Sequence, residues 1–169
     1  MSDVTQKVSF RLNSLVYETA ETIAKEQSIS TEALFQRIVT RHVTEHARKE
    51  GLMAPEHIDR LKREQNILET AARRARELDE AGAFDEHFTL TVIRDLMSDP
   101  TFRADYEKVI GGDAYQSGLP GKSPINMYLG WYVKNAVPDA VPLRDANRKP
   151  RRMQVRNEPV QSYTLLAKT

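Results

Sequence analysis

The sequence predicts a mainly α fold: one strand and two helices over residues 1–50, a helical unit over 55–140, and a basic C-terminal tail over 141–169. Three observations carry this. Residues 6–12 alternate polar and apolar, with Val8, Phe10 and Leu12 on one face and Lys7, Ser9 and Arg11 on the other. That period of two marks a half-buried strand. Between Leu15 and Val137 apolar residues recur at helical spacing, interrupted by glycine and proline. Past that point the chain holds seven basic and two acidic residues over 141–169.

Each element follows from local chemistry. Asn13-Ser14 ends the alternation and supplies a cap for a helix starting near Leu15, where Val16, Ala20, Ile23 and Ala24 share a face. Ser30 caps a second helix running to about Lys49 before Gly51, with Leu34, Phe35, Ile38, His42 and Val43 as its expected inner face. Gly51 to Pro55 reads as a linker, and Pro55 suits a first helical turn. A long helix over about 55–81 carries Ile58, Leu61, Leu68, Ala71, Ala75 and Leu78, and Gly82 ends it. Two shorter helices fall near 86–97 and 100–110, separated by the Asp99-Pro100 cap. Residues 111–122 form a glycine-rich loop, and Ser123-Pro124 restarts a helix to about Val137. Strand-like runs at 152–156 and 160–167 suggest that part of the basic tail is ordered.

Composition bounds the function. The 169 residues carry 25 Lys+Arg against 24 Asp+Glu, and 40% are hydrophobic, which excludes a wholly disordered chain. Absence of cysteine excludes disulfides, thiolate metal sites and a cysteine nucleophile. The first residues show no basic-then-apolar leader, and the longest nearly apolar stretch, Ile125 to Val133, is too short for a bilayer. The expectation is a cytoplasmic protein with no membrane association. Charge is segregated: net 0 over 1–52, −3 over 53–95, −1 over 96–140 and +5 over 141–169. A basic tail on a neutral body is compatible with a polyanionic partner.

The N-terminal unit poses a physical problem. A lone strand leaves its backbone groups unpaired, and so small a helix pair cannot bury its apolar face. A second copy solves both. Two strands then pair as an antiparallel ribbon, and four helices close around Val8, Phe10, Leu12, Ile23, Leu34 and Ile38. The outer face displays Lys7, Ser9 and Arg11 of each chain on a surface narrow enough for the major groove of DNA.

In the order Val8-Ser9-Phe10-Arg11-Leu12, then Val16, Ala20, Ile23 and Ala24, then Ser30-Thr31 and Leu34, the chain resembles the ribbon-helix-helix DNA-binding family of the Arc, methionine-repressor and CopG types. The likeness covers residues 6–46. It implies an intertwined homodimer that reads bases with Lys7, Ser9 and Arg11, the two cations favouring guanine. It also implies a phosphate held at the amino end of the second helix by Ser30, Thr31 and the amides after them. Two departures stand out: Gln27-Ser28 occupies a connector where the family often has glycine, and Glu32 would oppose the phosphate.

Other signals compete. His42-Val43-Thr44-Glu45-His46 matches the H-x-x-E-H zinc-peptidase pattern, with His42 and His46 as ligands and Glu45 as base. His42 also completes the apolar stripe, the pattern is short, and a protease would want a larger fold around the site, so no cofactor is expected and His42 and His46 stand only as a weak metal candidate. Gly121-Lys122-Ser123 resembles the end of a phosphate loop, but that pattern needs a glycine where the chain has Gln116. The aromatic stretch Met127, Tyr128, Leu129, Trp131, Tyr132 and Val133 reads as core and interface before it reads as a base-stacking surface. The cluster Arg148-Lys149-Pro150-Arg151-Arg152 is either solvated or an arm that follows phosphates.

The sequence thus points to a dimeric, site-specific DNA-binding protein, a transcriptional repressor and not an enzyme. Base contacts fall on Lys7, Ser9 and Arg11, and phosphate contacts on Ser30, Thr31, Arg148, Lys149, Arg151 and Arg152. Residues 55–140 would serve oligomerisation or a protein partner. One alternative is an antitoxin or plasmid-transfer accessory protein that binds both DNA and a partner. Others are an assembly module without a DNA role and a metal-dependent hydrolase built on His42, Glu45 and His46.

Overall fold

The computed structural model describes residues 8–27 and 29–169. Among the described residues are six helices: α1 (Ser14–Glu26), α2 (Thr31–Glu50), α3 (Pro55–Glu80), α4 (Phe88–Met97), α5 (Pro100–Ile110) and α6 (Lys122–Ala136). Four short strands follow: β1 (Ala140–Pro142), β2 (Arg152–Gln154), β3 (Ser162–Thr164) and β4 (Leu166–Lys168). The chain is mainly helical, as the sequence predicts.

The helix limits are set by their caps. The Asn13 side chain accepts the Leu15 amide at 2.9 Å, Ser30 the Ala33 amide at 3.2 Å, and Asp99 the Thr101 amide at 2.8 Å. Gly51 and Gly111 close α2 and α5 in the left-handed conformation, at φ 64° and 76°.

Helix α3 is the spine. It packs against α6, α5 and α4, and also meets α2. Its buried face alternates the larger Ile58, Ile67 and Leu68 with Ala71, Ala72 and Ala75, whose small size admits bulky neighbours such as Phe88, Ile93 and Leu129 into the same core. Tyr106 of α5 is fully buried there. Its hydroxyl donates to Asn126 Oδ1 at 2.7 Å, while Asn126 Nδ2 donates to the Pro159 carbonyl at 3.1 Å. One polar link thus joins α5, α6 and the C-terminal segment inside an apolar core. Burial drives the Tyr106 phenol far above its ordinary pKa.

The glycine-rich loop is explained by packing. A Cβ at Gly121 would lie 3.1 Å from both Cα and O of Ile110, so a side chain there would crowd the loop against the end of α5. Lys122 is buried and donates from Nζ to the Gln116 carbonyl at 2.7 Å, which ties the loop shut.

Residues 141–169 pack on the helical body. β1 pairs antiparallel with β4, β2 pairs antiparallel with β3, and Val160, Tyr163, Leu165 and Leu166 are buried in the main core. Within a single chain, α2 differs from the expected inner face. Its buried residues are Ala33, Leu34, Thr44 and Ala47, while Ile38, His42 and Val43 are exposed. Within one chain α2 turns small residues inward, so His42 is not part of the core.

Candidate nucleic-acid interface

Helices α1 and α2 pack on each other through Ala20, Ala24 and Leu34, with Ile29 and Phe35 at the margin. This small cluster leaves much apolar surface open. Of the six residues assigned to a dimer core, only Leu34 is buried. Val8 is 77% exposed, Phe10 56%, Ile38 51%, Leu12 39% and Ile23 37%. Leu15, Val16, Val39 and Val43 are exposed on the same two helices.

Residues 8–13 precede α1 without belonging to any sheet among the described residues. Lys7, and with it the start of the expected strand, lies outside the described residues. The segment is anchored at two points. Asn13 caps α1, and the Phe10 ring meets Phe35 of α2 edge-on at 5.9 Å between centroids. Ser9 and Arg11 are exposed, and Arg11 has no ion-pair partner among the described residues.

At the amino end of α2, Ser30 is bound as the cap and Thr31 is half-buried. The local field is acidic. The Tyr17 phenol is pushed above its ordinary pKa chiefly by the Glu21 carboxylate, with burial and then Glu32 adding to it. Glu32 therefore opposes the phosphate expected there.

The basic cluster is presented by a built turn. Asp145 Oδ1 accepts the Asn147 and Lys149 amides at 2.8 and 2.9 Å, and the Arg144 guanidinium donates to the Arg148 carbonyl at 2.6 Å. Arg148 sits in the left-handed region at φ 61°. The Arg151 amide donates to the Leu143 carbonyl at 2.7 Å, and the Leu165 amide to the Arg151 carbonyl at 3.0 Å, which fastens the turn to the body. Arg148, Lys149 and Arg151 are exposed and carry no carboxylate partner among the described residues. Arg152 differs, since its Nε donates to Ser162 Oγ at 3.1 Å.

His42 and His46 are both exposed on α2. Among the described residues no group of three His, Asp or Glu side chains is placed to share a metal ion. The aromatic stretch divides: Leu129, Tyr132 and Val133 are buried, Tyr128 and Trp131 half-buried, and Met127 exposed. Trp131, Lys134 and Arg152 line a groove that sequence reasoning missed, because its walls come from segments spread along the chain from Thr89 to Leu166. The one local signal was Gly130 in the middle of a helix. Comparisons with protein-family models, curated proteins and solved structures find no match for this chain.

Proposed function

We propose that the chain is a homodimeric, sequence-specific DNA-binding protein of ribbon-helix-helix type, acting as a transcriptional repressor. One observation carries the reading. Val8, Phe10, Leu12, Ile23 and Ile38 are all exposed on a single copy, next to an extended segment with no strand partner among the described residues. Exposed apolar patches of this kind mark interfaces, and a second copy would satisfy both the side chains and the backbone. The same pairing would set Ser9 and Arg11 on the outer face of a ribbon, with Lys7 beside them. Arg148, Lys149 and Arg151 would add contacts to phosphate that carry no sequence information.

The test is binding to a random duplex and to the DNA upstream of its own gene across a salt series, for wild type and Arg11→Ala. Tight binding to the upstream duplex alone, weakened by about 1–3 kcal/mol in the variant, is the expected result. Equal, steeply salt-dependent binding to both duplexes would leave only the basic turn as a contact. A dimer that binds neither duplex would favour an assembly module.

A further inference from the structure

A groove of about 240 Å³ opens between α6 and the C-terminal strands, with Thr89 of α4 also lining it. Lys134 of α6 and Arg152 of β2 are its charged lining residues, and no carboxylate lines it. Neither cation is neutralised among the described residues: Lys134 Nζ donates to Asn135 Oδ1 at 2.9 Å, and Arg152 Nε to Ser162 Oγ, both uncharged acceptors. Around them the surface is largely apolar, formed by Met127, Trp131, Val160 and Leu166. Both cations keep only uncharged partners, which leaves their charge available to an anion.

One further observation points to an occupant. Gly130 lines the groove from the middle of α6, where glycine weakens a helix. Packing does not require it, because an added Cβ would meet nothing nearer than Thr89 Cγ2 at 4.0 Å. The missing side chain leaves the groove open.

We propose that this groove binds a small organic monoanion, a carboxylate carried on an apolar ring or short chain. The carboxylate is held by Lys134 and Arg152 through charge-assisted hydrogen bonds. The apolar body lies against Trp131 and Met127. The volume sits below the roughly 300 Å³ at which drug-sized pockets begin, which fits a ligand of one ring. The site stands independently of DNA binding.

Trp131 is the sole tryptophan, so its fluorescence reports on the groove in the full chain. Benzoate and cyclohexanecarboxylate are the probes, with benzamide and inorganic phosphate as the uncharged and the non-apolar counterparts. The carboxylates are expected to give a saturable change, with benzamide and phosphate about tenfold weaker or worse. Lys134→Met and Arg152→Met should each weaken benzoate about tenfold, a loss expected for a charge-assisted contact. Gly130→Leu should abolish binding by filling the groove. Should Gly130→Leu fail to fold, the two cation variants still decide, because their side chains are not in the core. No saturable change with either carboxylate overturns the proposal, as does benzamide binding equal to benzoate or affinity unchanged in both cation variants. Phosphate binding as tight as benzoate also overturns it, since the apolar body would then contribute nothing.

Discussion

Arg74 and Asp95 join α3 to α4 through a two-pronged ion pair, with Arg74 Nε 2.6 Å from Asp95 Oδ2 and Nη2 2.9 Å from Oδ1. The same guanidinium reaches Glu77 Oε2 at 2.9 Å, so one arginine gathers two carboxylates at the edge of the helical body. Paired geometry of this kind is among the stronger forms of surface ion pair.

The pair makes stability depend on pH. The hydrogen bonds from Arg74, opposed by partial burial, hold the Asp95 carboxyl below its ordinary pKa. A depressed folded-state pKa adds stability that is fully present above the unfolded value of about 3.9 and is lost as pH falls through the folded value. Asp95→Asn should therefore destabilise by about 0.5–1 kcal/mol at pH 7, a figure discounted for the side chain's solvent exposure. Urea unfolding of both proteins at pH 7 and near pH 2 checks this. The gap between them should close in acid, and a gap that persists would mean packing, not charge, is responsible.

Two glycines should respond oppositely to alanine. At Gly121 the new Cβ meets backbone atoms of Ile110 and Val109 at 3.1–3.2 Å, and backbone at the end of a helix cannot easily give way. Gly121→Ala is expected to cost about 1–3 kcal/mol, as overpacking does. At Gly130 the added methyl has room, so Gly130→Ala should stabilise by about 0.5–1 kcal/mol through helix propensity. Thermal unfolding of the two variants against wild type reads both signs.

The exposed face of α2 makes a separate prediction. Ile38 is half-exposed on one chain, so Ile38→Lys should alter single-chain stability by no more than about 0.5 kcal/mol. If that face meets a second copy, the wild-type melting temperature rises with protein concentration while that of the variant does not. Sedimentation of both proteins gives the independent readout. A variant that remains dimeric would move the interface away from α2.

The sequence disclosed the elements whose ends are fixed by neighbours in the chain. Asn13, Ser30, Asp99, Gly51 and Gly111 act within a few residues of themselves, and so the helix limits were legible. The buried face of α2 was not. Large residues, Ile38 and Val43, dominate the periodicity, but the contact with α3 selects Ala33, Thr44 and Ala47 because small residues let helices approach. Periodicity identifies an apolar face without saying which neighbour covers it. The C-terminal segment was legible in part: the strand-like run over 160–167 marked residues to be ordered, but the partners that bury Leu165 and Leu166 lie far earlier in the chain. Of the candidate interface, the alternation over 8–12 and the cap at Ser30 were legible, whereas the turn that presents Arg148 and Lys149 depends on Asp145 and on Leu143 pairing with Arg151.

That burial decides how the basic segment must be tested. Removing residues 144–169 would take Val160, Tyr163, Leu165 and Leu166 out of the core, so a failure of such a truncation to bind DNA would report unfolding. Leu165→Ala alone is expected to cost about 2–5 kcal/mol, as deletion of a fully buried leucine does. Charge must instead be removed with the fold intact. Arg148, Lys149 and Arg151 are exposed and unpaired among the described residues, so a triple serine variant should leave the melting temperature nearly unchanged. If these cations touch phosphate, each phosphate left without its cation lowers the slope of log affinity against log salt by about 0.9, and all duplexes are weakened alike. Arg152 is kept in that variant, because its bond to Ser162 and its place in the α6 groove give it another role. A salt slope identical to wild type would remove the turn from the DNA interface and leave the N-terminal ribbon to account for all of it.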